Sequence, residues 1–85
     1  MGEQLLEVGR VLHFFGHINV AVIEVTGTIS VGDKIAIKGP RTDIEQTVDS
    51  MEIEHAKVKH AIAGQSIGMK VKGYVRVNDT IYKTD

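Results

Sequence analysis

The residues best able to do chemistry in this sequence lie in its last third, where Lys70, Lys72, Tyr74 and Arg76 recur at every second position. On an extended strand, residues two apart share a face about 7 Å apart, close to the spacing of successive phosphates on an extended nucleic-acid strand. Two lysines, an aromatic ring and a guanidinium at that spacing suit charge contacts to phosphates and stacking on a base. Lys57, Lys59 and His60 precede them and extend the basic character. The same alternation also makes an ordinary solvated strand face, where lysines discourage edge pairing.

Other reactive residues form weaker patterns. Asp43, Glu45, Asp49, Glu52 and Glu54 make one stretch acidic. Paired carboxylates can run acid–base chemistry, but no nucleophile or second catalytic group accompanies these. His13, His17, His55 and His60 fall into two local pairs. An i, i+4 pair converges on a helix but not on a strand, so no metal site is expected. With no cysteine, thiolate ligands, disulfides and a cysteine nucleophile are excluded. The expectation is a non-enzymatic chain with no cofactor.

A net charge of −1, from ten basic and eleven acidic residues, gives no bulk field to recruit a polyanion or a membrane surface. No apolar run reaches the length of a membrane span. The first residues, Met1-Gly2-Glu3-Gln4, lack the apolar core of a signal peptide. Leu6 occupies the position where a myristoylated Gly2 would be followed by Ser or Thr. Together with the absence of cysteine, these features lead to the expectation of a cytoplasmic protein. No GxxxxGK[ST] phosphate loop is present, so this chain alone is expected not to bind GTP.

The elements that must position these residues are short strands. At 85 residues with 42% hydrophobic content, residues 1–85 suit one domain with one core. Gly2 to Glu7 permits a turn of helix. Beyond it, β-rich runs fall at Glu7–Phe15, Val20–Val25, Lys34–Lys38, Glu45–Glu54, Ser66–Lys72 and Thr80–Lys83, separated by Gly, Asn, Asp and Pro. The fourth run slips parity between Val48 and Met51, which a one-residue bulge near Asp49-Ser50 would restore. Six strands without helices predict an all-β fold, a small closed or nearly closed Greek-key barrel.

Two stretches echo one another. Gly27-Thr28-Ile29-Ser30-Val31-Gly32-Asp33-Lys34-Ile35 matches Gly73-Tyr74-Val75-Arg76-Val77-Asn78-Asp79-Thr80-Ile81 at its Gly, Val, Asp and Ile positions. Each copy is a short edge segment, a turn and a strand. Gly32 and Asn78 precede the aspartates, and both residue types tolerate positive φ. Two such copies suit two corners of one barrel related by a pseudo-twofold.

A resemblance enters with these turns. Gly27 through Ile35, with Ile37, resembles the glycine, Val-Gly-Asp and alternating-apolar signature in the second domain of elongation factor Tu and its relatives. Ala61-Ile62-Ala63-Gly64-Gln65-Ser66-Ile67-Gly68-Met69-Lys70-Val71 is similar to that domain's Ala-Gly-x-x-Val-Gly segment. The stretch from Ile37 through Val48 looks closer to the barrel at the C-terminus of collagenase-like peptidase-family proteins. The resemblance spans roughly Val8 to Lys83 and implies the translation-factor barrel.

This sequence departs from the elongation-factor pattern at two positions. Ser66 stands where that family has an asparagine, and Glu54 where it has a histidine near the tRNA end. A carboxylate there repels a phosphate, so capture of aminoacylated tRNA is not carried over.

Two functions follow. One is a translation-factor-like accessory barrel that binds RNA (tRNA or rRNA) through Lys70, Lys72, Tyr74 and Arg76. The other is a protein-docking module that partners a separately encoded catalytic subunit, such as a collagenase-like protein, through Phe14, Phe15, Val20 and Val22. Adjacent Phe14 and Phe15 must split between the two faces of a strand. Val20 and Val22 leave the second face of their strand apolar, either packed under Leu5 and Leu6 or exposed to a partner.

Overall fold

The computed structural model describes residues 5–84. They form ten strands and, among the described residues, no helix: β1 (Leu5–Phe15), β2 (Val20–Val25), β3 (Thr28–Ser30), β4 (Lys34–Gly39), β5 (Thr42–Thr47), β6 (Met51–Ile53), β7 (Ala56–Val58), β8 (His60–Ile62), β9 (Ser66–Lys70) and β10 (Thr80–Thr84). Every pair is antiparallel. Eight strands form one sheet in the order β5-β4-β10-β1-β2-β9-β6-β7, and β3 pairs with β8 separately.

That sheet is rolled. β5 and β6 lie six places apart in the strand order, a distance of about 29 Å if the sheet were flat. Only Val48, Asp49 and Ser50 join them, and four peptide units reach at most about 14 Å. The two regions must therefore be neighbours in space. The backbone ladder does not close across the seam, but Gln46 of β5 bridges it. Its Nε2 donates to the Lys70 carbonyl at 3.0 Å, and its Oε1 accepts the Lys72 N–H at 2.8 Å. A primary amide offers the same donor and acceptor as a peptide unit, so a buried side chain stands in for a missing strand partner.

The barrel-like interior holds Val8, Val11, Ala21, Ile23, Val25, Ile29, Ile35, Ile37, Val48, Met51, Ile67, Met69, Val71, Val75 and Ile81, among others. β2 shows why: Ala21, Ile23 and Val25 are buried, while Val20, Val22 and Glu24 are half-exposed. Each fully buried Ile or Val side chain contributes roughly 1.5–3 kcal/mol. Ala36, which alternates with Ile35 and Ile37 along β4, is buried as well, flanked in register by Tyr82 and Glu45.

The structure corrects several expectations. Ten strands replace six, although six of the ten have five or more residues. Residues 5–7 belong to β1, not to a helical turn; positions 2–4 lie outside the described residues. The run from Glu45 to Glu54 is two strands with a corner between them, not one bulged strand. Val48 is the reason, because both its backbone groups are committed elsewhere: its N–H donates to the Asp33 carbonyl, and its carbonyl accepts the Gly32 N–H, each at 2.9 Å. Lys57 lies in β7 and His60 in β8, two short strands between the predicted Glu45–Glu54 and Ser66–Lys72 runs.

The internal echo is a structural one. In both turns an aspartate carboxylate accepts the N–H three residues earlier, Ser30 by Asp33 at 2.9 Å and Arg76 by Asp79 at 2.8 Å. Gly32 has φ +97° and Asn78 φ +75°, as the third position of a type II turn requires. The strands that follow, β4 and β10, pair with Ile35 opposite Lys83 and Ile37 opposite Ile81. Matching Ile35 to Ile81 exchanges these two pairs, which places the pseudo-twofold between β4 and β10.

Candidate binding surface

The geometry of the β1–β2 hairpin decides where the aromatic side chains go. Its register pairs Val11 with Ile23, then skips Leu12, and resumes with His13 opposite Val22, Phe14 opposite Ala21 and Phe15 opposite Val20. This bulge reverses the parity of β1. Phe14 therefore joins the face of buried Ala21 and packs against the core. His13 and Phe15 share the outer face with Val20 and Val22, and their rings meet edge-on at 4.5 Å. Leu5 and Leu6 pair with Thr84 and Lys83 at the other end of β1 and are exposed, so they do not cover Val20 and Val22.

On that outer face the sheet forms a groove of about 610 Å³. Phe15, Ile18, Val20 and Val22 form its apolar wall, and Gly68 lies in its floor. Glu52, Glu54, His55, Lys57 and Lys70 line the polar side. One cross-strand row runs Val22, Gly68, Glu52, Lys57, and the next pairs Val20 with Lys70. Glu54 and His55 are the two-residue tip of the β6–β7 hairpin, both with positive φ, 50° and 68°. Among the described residues, the ion pairs are Arg10–Glu24, Lys38–Asp43 and Lys83–Asp33. None ties up Glu52, Glu54, Lys57 or Lys70. The Asp43 carboxylate, hydrogen-bonded to Lys38 Nζ at 2.9 Å, holds that ammonium above its ordinary value. This pair stands on the β4–β5 hairpin, apart from the groove lining.

The four basic and aromatic residues are exposed but distributed. β9 ends at Lys70 because the Val71 N–H donates to the Asn19 carbonyl and the Lys72 N–H to Gln46. The strand alternation does not continue to Arg76. Lys70 lines the groove with Val20 and Val22. Lys72 lines a smaller depression, of about 270 Å³, with Lys34, Glu45, Thr47 and Thr84. Tyr74, 66% exposed, lies edge-on to Phe14 at 5.0 Å, and the Arg76 guanidinium sits 5.1 Å over the Tyr74 ring.

The structure thus brings Phe15, Val20, Val22 and Lys70 together, and separately Phe14, Tyr74 and Arg76. Sequence reasoning did not place Ile18, Gly68 and His55 at the surface site. The unneeded glycine in mid-strand was the one available signal. Among the described residues, no three His, Cys, Asp or Glu side chains converge as metal ligands.

No family model matches the chain. Over 91% of its length it is 38% identical to an uncharacterized protease of Methanocaldococcus jannaschii, covering 19% of that protein. Over 98% of its length it is 37% identical to a collagenase of Porphyromonas gingivalis, covering 20% of it. The chain therefore spans about a fifth of the length of these curated relatives. A shorter match, 43% identical over 68% of the chain and 13% of the relative, is to elongation factor 1-alpha of Thermofilum pendens.

Among solved structures, the C-terminal domain of a Geobacillus thermoleovorans protein described as a U32 peptidase superposes with a TM-score of 0.87. It is 20% identical, over 92% of this chain and 91% of that one. The fold is that of this C-terminal barrel. The collagenase-like branch of the resemblance is the better supported, and the elongation-factor branch is partial.

Proposed function

We propose that this chain is a non-enzymatic docking barrel that works with the catalytic domain of a collagenase-like protein. The observation that carries the reading is the similarity, along nearly the whole chain, to about a fifth of collagenase-like proteins. The barrel fold shared with the C-terminal domain of a protein described as a U32 peptidase agrees with it. The groove supplies a surface for the role: a half-exposed apolar wall of Phe15, Val20 and Val22 beside uncommitted charges, with no catalytic set around it. The barrel holds or orients the catalytic domain and leaves the chemistry to it.

The test is titration calorimetry of the purified chain against a collagenase-like catalytic chain from the source organism, at low and high salt. A complex that persists at high salt, and is lost on Phe15→Ser with Val22→Ser, supports docking. No complex at either salt overturns it. A second reading, RNA binding, draws on the Arg76-over-Tyr74 stack and the partial likeness to elongation factor 1-alpha.

A further inference from the structure

Gly68 has no need within this chain to be glycine. It lies inside β9 between buried Ile67 and Met69, where a glycine forfeits side-chain packing and costs backbone entropy. Its φ is not positive. A Cβ there would meet only Val20 Cγ1 within 4 Å, at 3.6 Å, an ordinary contact. What the missing side chain does is open the groove floor between Val22 and Glu52, its neighbours in the cross-strand row. β9 keeps an unbroken register with β2 through Gly68, so no bulge accounts for the glycine; close approach by a ligand or another backbone is a further use of a strand glycine.

Charges of both signs stand along the apolar trough over Gly68. Lys70 stands at one end beside Val20. Glu52 flanks the middle, and Glu54 lines the side beyond it on the hairpin tip. Lys57 faces Glu52 across the β6–β7 pair but makes no ion pair with it. An apolar trough with unpaired charge of opposite sign along it complements a dipolar, amphipathic occupant.

Resting on the docking reading, we propose that the groove takes one extended segment of the partner protein. A large apolar side chain sits over Gly68 against Phe15, Val20 and Val22. An acidic side chain two residues to one side faces Lys70, and a basic one two residues to the other side, level with Ser66, faces Glu54, while Glu52 stands beside the apolar side chain. In an extended segment, side chains at i, i+2 and i+4 share a face about 7 Å apart, the spacing at which Lys70, Gly68 and Ser66 follow one another along β9.

The experiment is amide NMR of the full chain with blocked pentapeptides Glu-Thr-Phe-Thr-Lys, Lys-Thr-Phe-Thr-Lys and Glu-Thr-Phe-Thr-Glu. Parallel titrations use the collagenase-like catalytic chain and a heptauridylate. The mixed-charge peptide should shift the Val20, Val22, Glu52 and Gly68 amides and bind about three-fold or more tightly than either same-charge peptide. Lys70→Glu should transfer the preference to the peptide with two lysines. Gly68→Val should abolish the shifts in a folded protein, and Gly68→Ala, whose methyl fits, should weaken them.

Unchanged peptide binding in either folded Gly68 variant overturns the inference. So do silent peptides with the catalytic chain still shifting groove amides, an outcome that leaves docking intact. Silence from both removes the docking reading as well. Groove shifts with heptauridylate but not with peptides assign the groove to nucleic acid instead.

Discussion

Asp33 and Asp79 make the same set of bonds at two distant points of the chain. Each carboxylate accepts the N–H three residues back, and each carbonyl accepts the N–H of a buried valine, Val48 for Asp33 and Val11 for Asp79, at 2.9 Å. The residue before each aspartate returns a bond to the carbonyl of that same valine, Gly32 at 2.9 Å and Asn78 at 2.8 Å. Each turn therefore clamps a distant stretch of backbone, the β5–β6 corner at Val48 and β1 at Val11. The two sites differ in burial. Asp79 is 2% exposed, whereas Asp33 is half-buried and its carboxylate also meets Lys83 at 3.3 Å.

Asp79→Ala should accordingly destabilise by about 1–3 kcal/mol, because the Arg76 N–H loses its partner and the buried Asp79 side chain leaves its space empty. Asp33→Ala should cost less, since the Asp33 side chain is partly exposed to water and the Lys83 contact is worth little. Asp79→Asn, which keeps an acceptor oxygen, should recover much of the loss. Urea denaturation of the three variants measures this, and an Asp33→Ala cost equal to that of Asp79→Ala contradicts the burial argument.

These turns were legible in the residues because an aspartate after Gly or Asn has few other uses, and β2 was legible because Val20–Val25 alternates cleanly. The corner at residues 48–50 was not. A parity slip looks the same whether the strand bulges or ends, and what decides it is the distant Asp33 carbonyl. β7 and β8, three residues each, are too short to show a period. The site was legible by halves. Adjacent phenylalanines announce one inward and one outward ring, but the Leu12 bulge and the end of β9 at Lys70 determine their company. Both depend on tertiary hydrogen bonds.

Gln46 should prove a seam residue. Gln46→Ala leaves the Lys70 carbonyl and the Lys72 N–H without their partner, at a cost of about 1–3 kcal/mol. Gln46→Glu keeps the acceptor but turns a carboxylate oxygen toward the Lys70 carbonyl, so it should be no better than alanine at neutral pH. Hydrogen exchange at the Lys72 amide should quicken in both. Unchanged exchange there would show that the barrel does not lean on this side chain.

Phe14 and Phe15 should separate stability from binding. Phe14 packs on the core and on Tyr74, so Phe14→Ala should cost about 2 kcal/mol, below the ~3–5 kcal/mol of a fully buried ring. Phe15, 40% exposed on the groove wall, should change stability by no more than about 0.5 kcal/mol when replaced by alanine yet weaken partner capture. Thermal unfolding paired with calorimetry distinguishes them, and a larger stability loss at Phe15 reverses the assignment.

The RNA reading predicts a specific salt dependence. If Lys70, Lys72 and Arg76 contact phosphates, changing all three to glutamine should weaken single-stranded RNA binding and reduce the salt slope by roughly 0.7 per contact removed. Tyr74→Ala should cost a further ~1–3 kcal/mol if a base stacks there. Because these residues are distributed over the groove, the depression beside β5 and the Tyr74 stack, a slope change from Arg76 alone would confine RNA to the stack. No RNA affinity at low salt removes the reading.

The last prediction concerns the hairpin tip. Glu54 and His55 hold positive φ between Ile53 and Ala56, a two-residue connection in which Asn-Gly is the favoured pair. A side chain in this left-handed region costs roughly 1–2 kcal/mol. Replacing Glu54-His55 by Asn-Gly should therefore raise stability by about 1 kcal/mol, equivalent to a few degrees in melting temperature for a domain of this size. The same change removes a carboxylate and an imidazole from the groove rim, so partner capture should fall while the fold gains. A variant that is both more stable and fully competent to bind would mean that the strained tip serves neither purpose. A variant that loses stability would mean that Glu54 or His55 makes a contact outweighing its backbone strain.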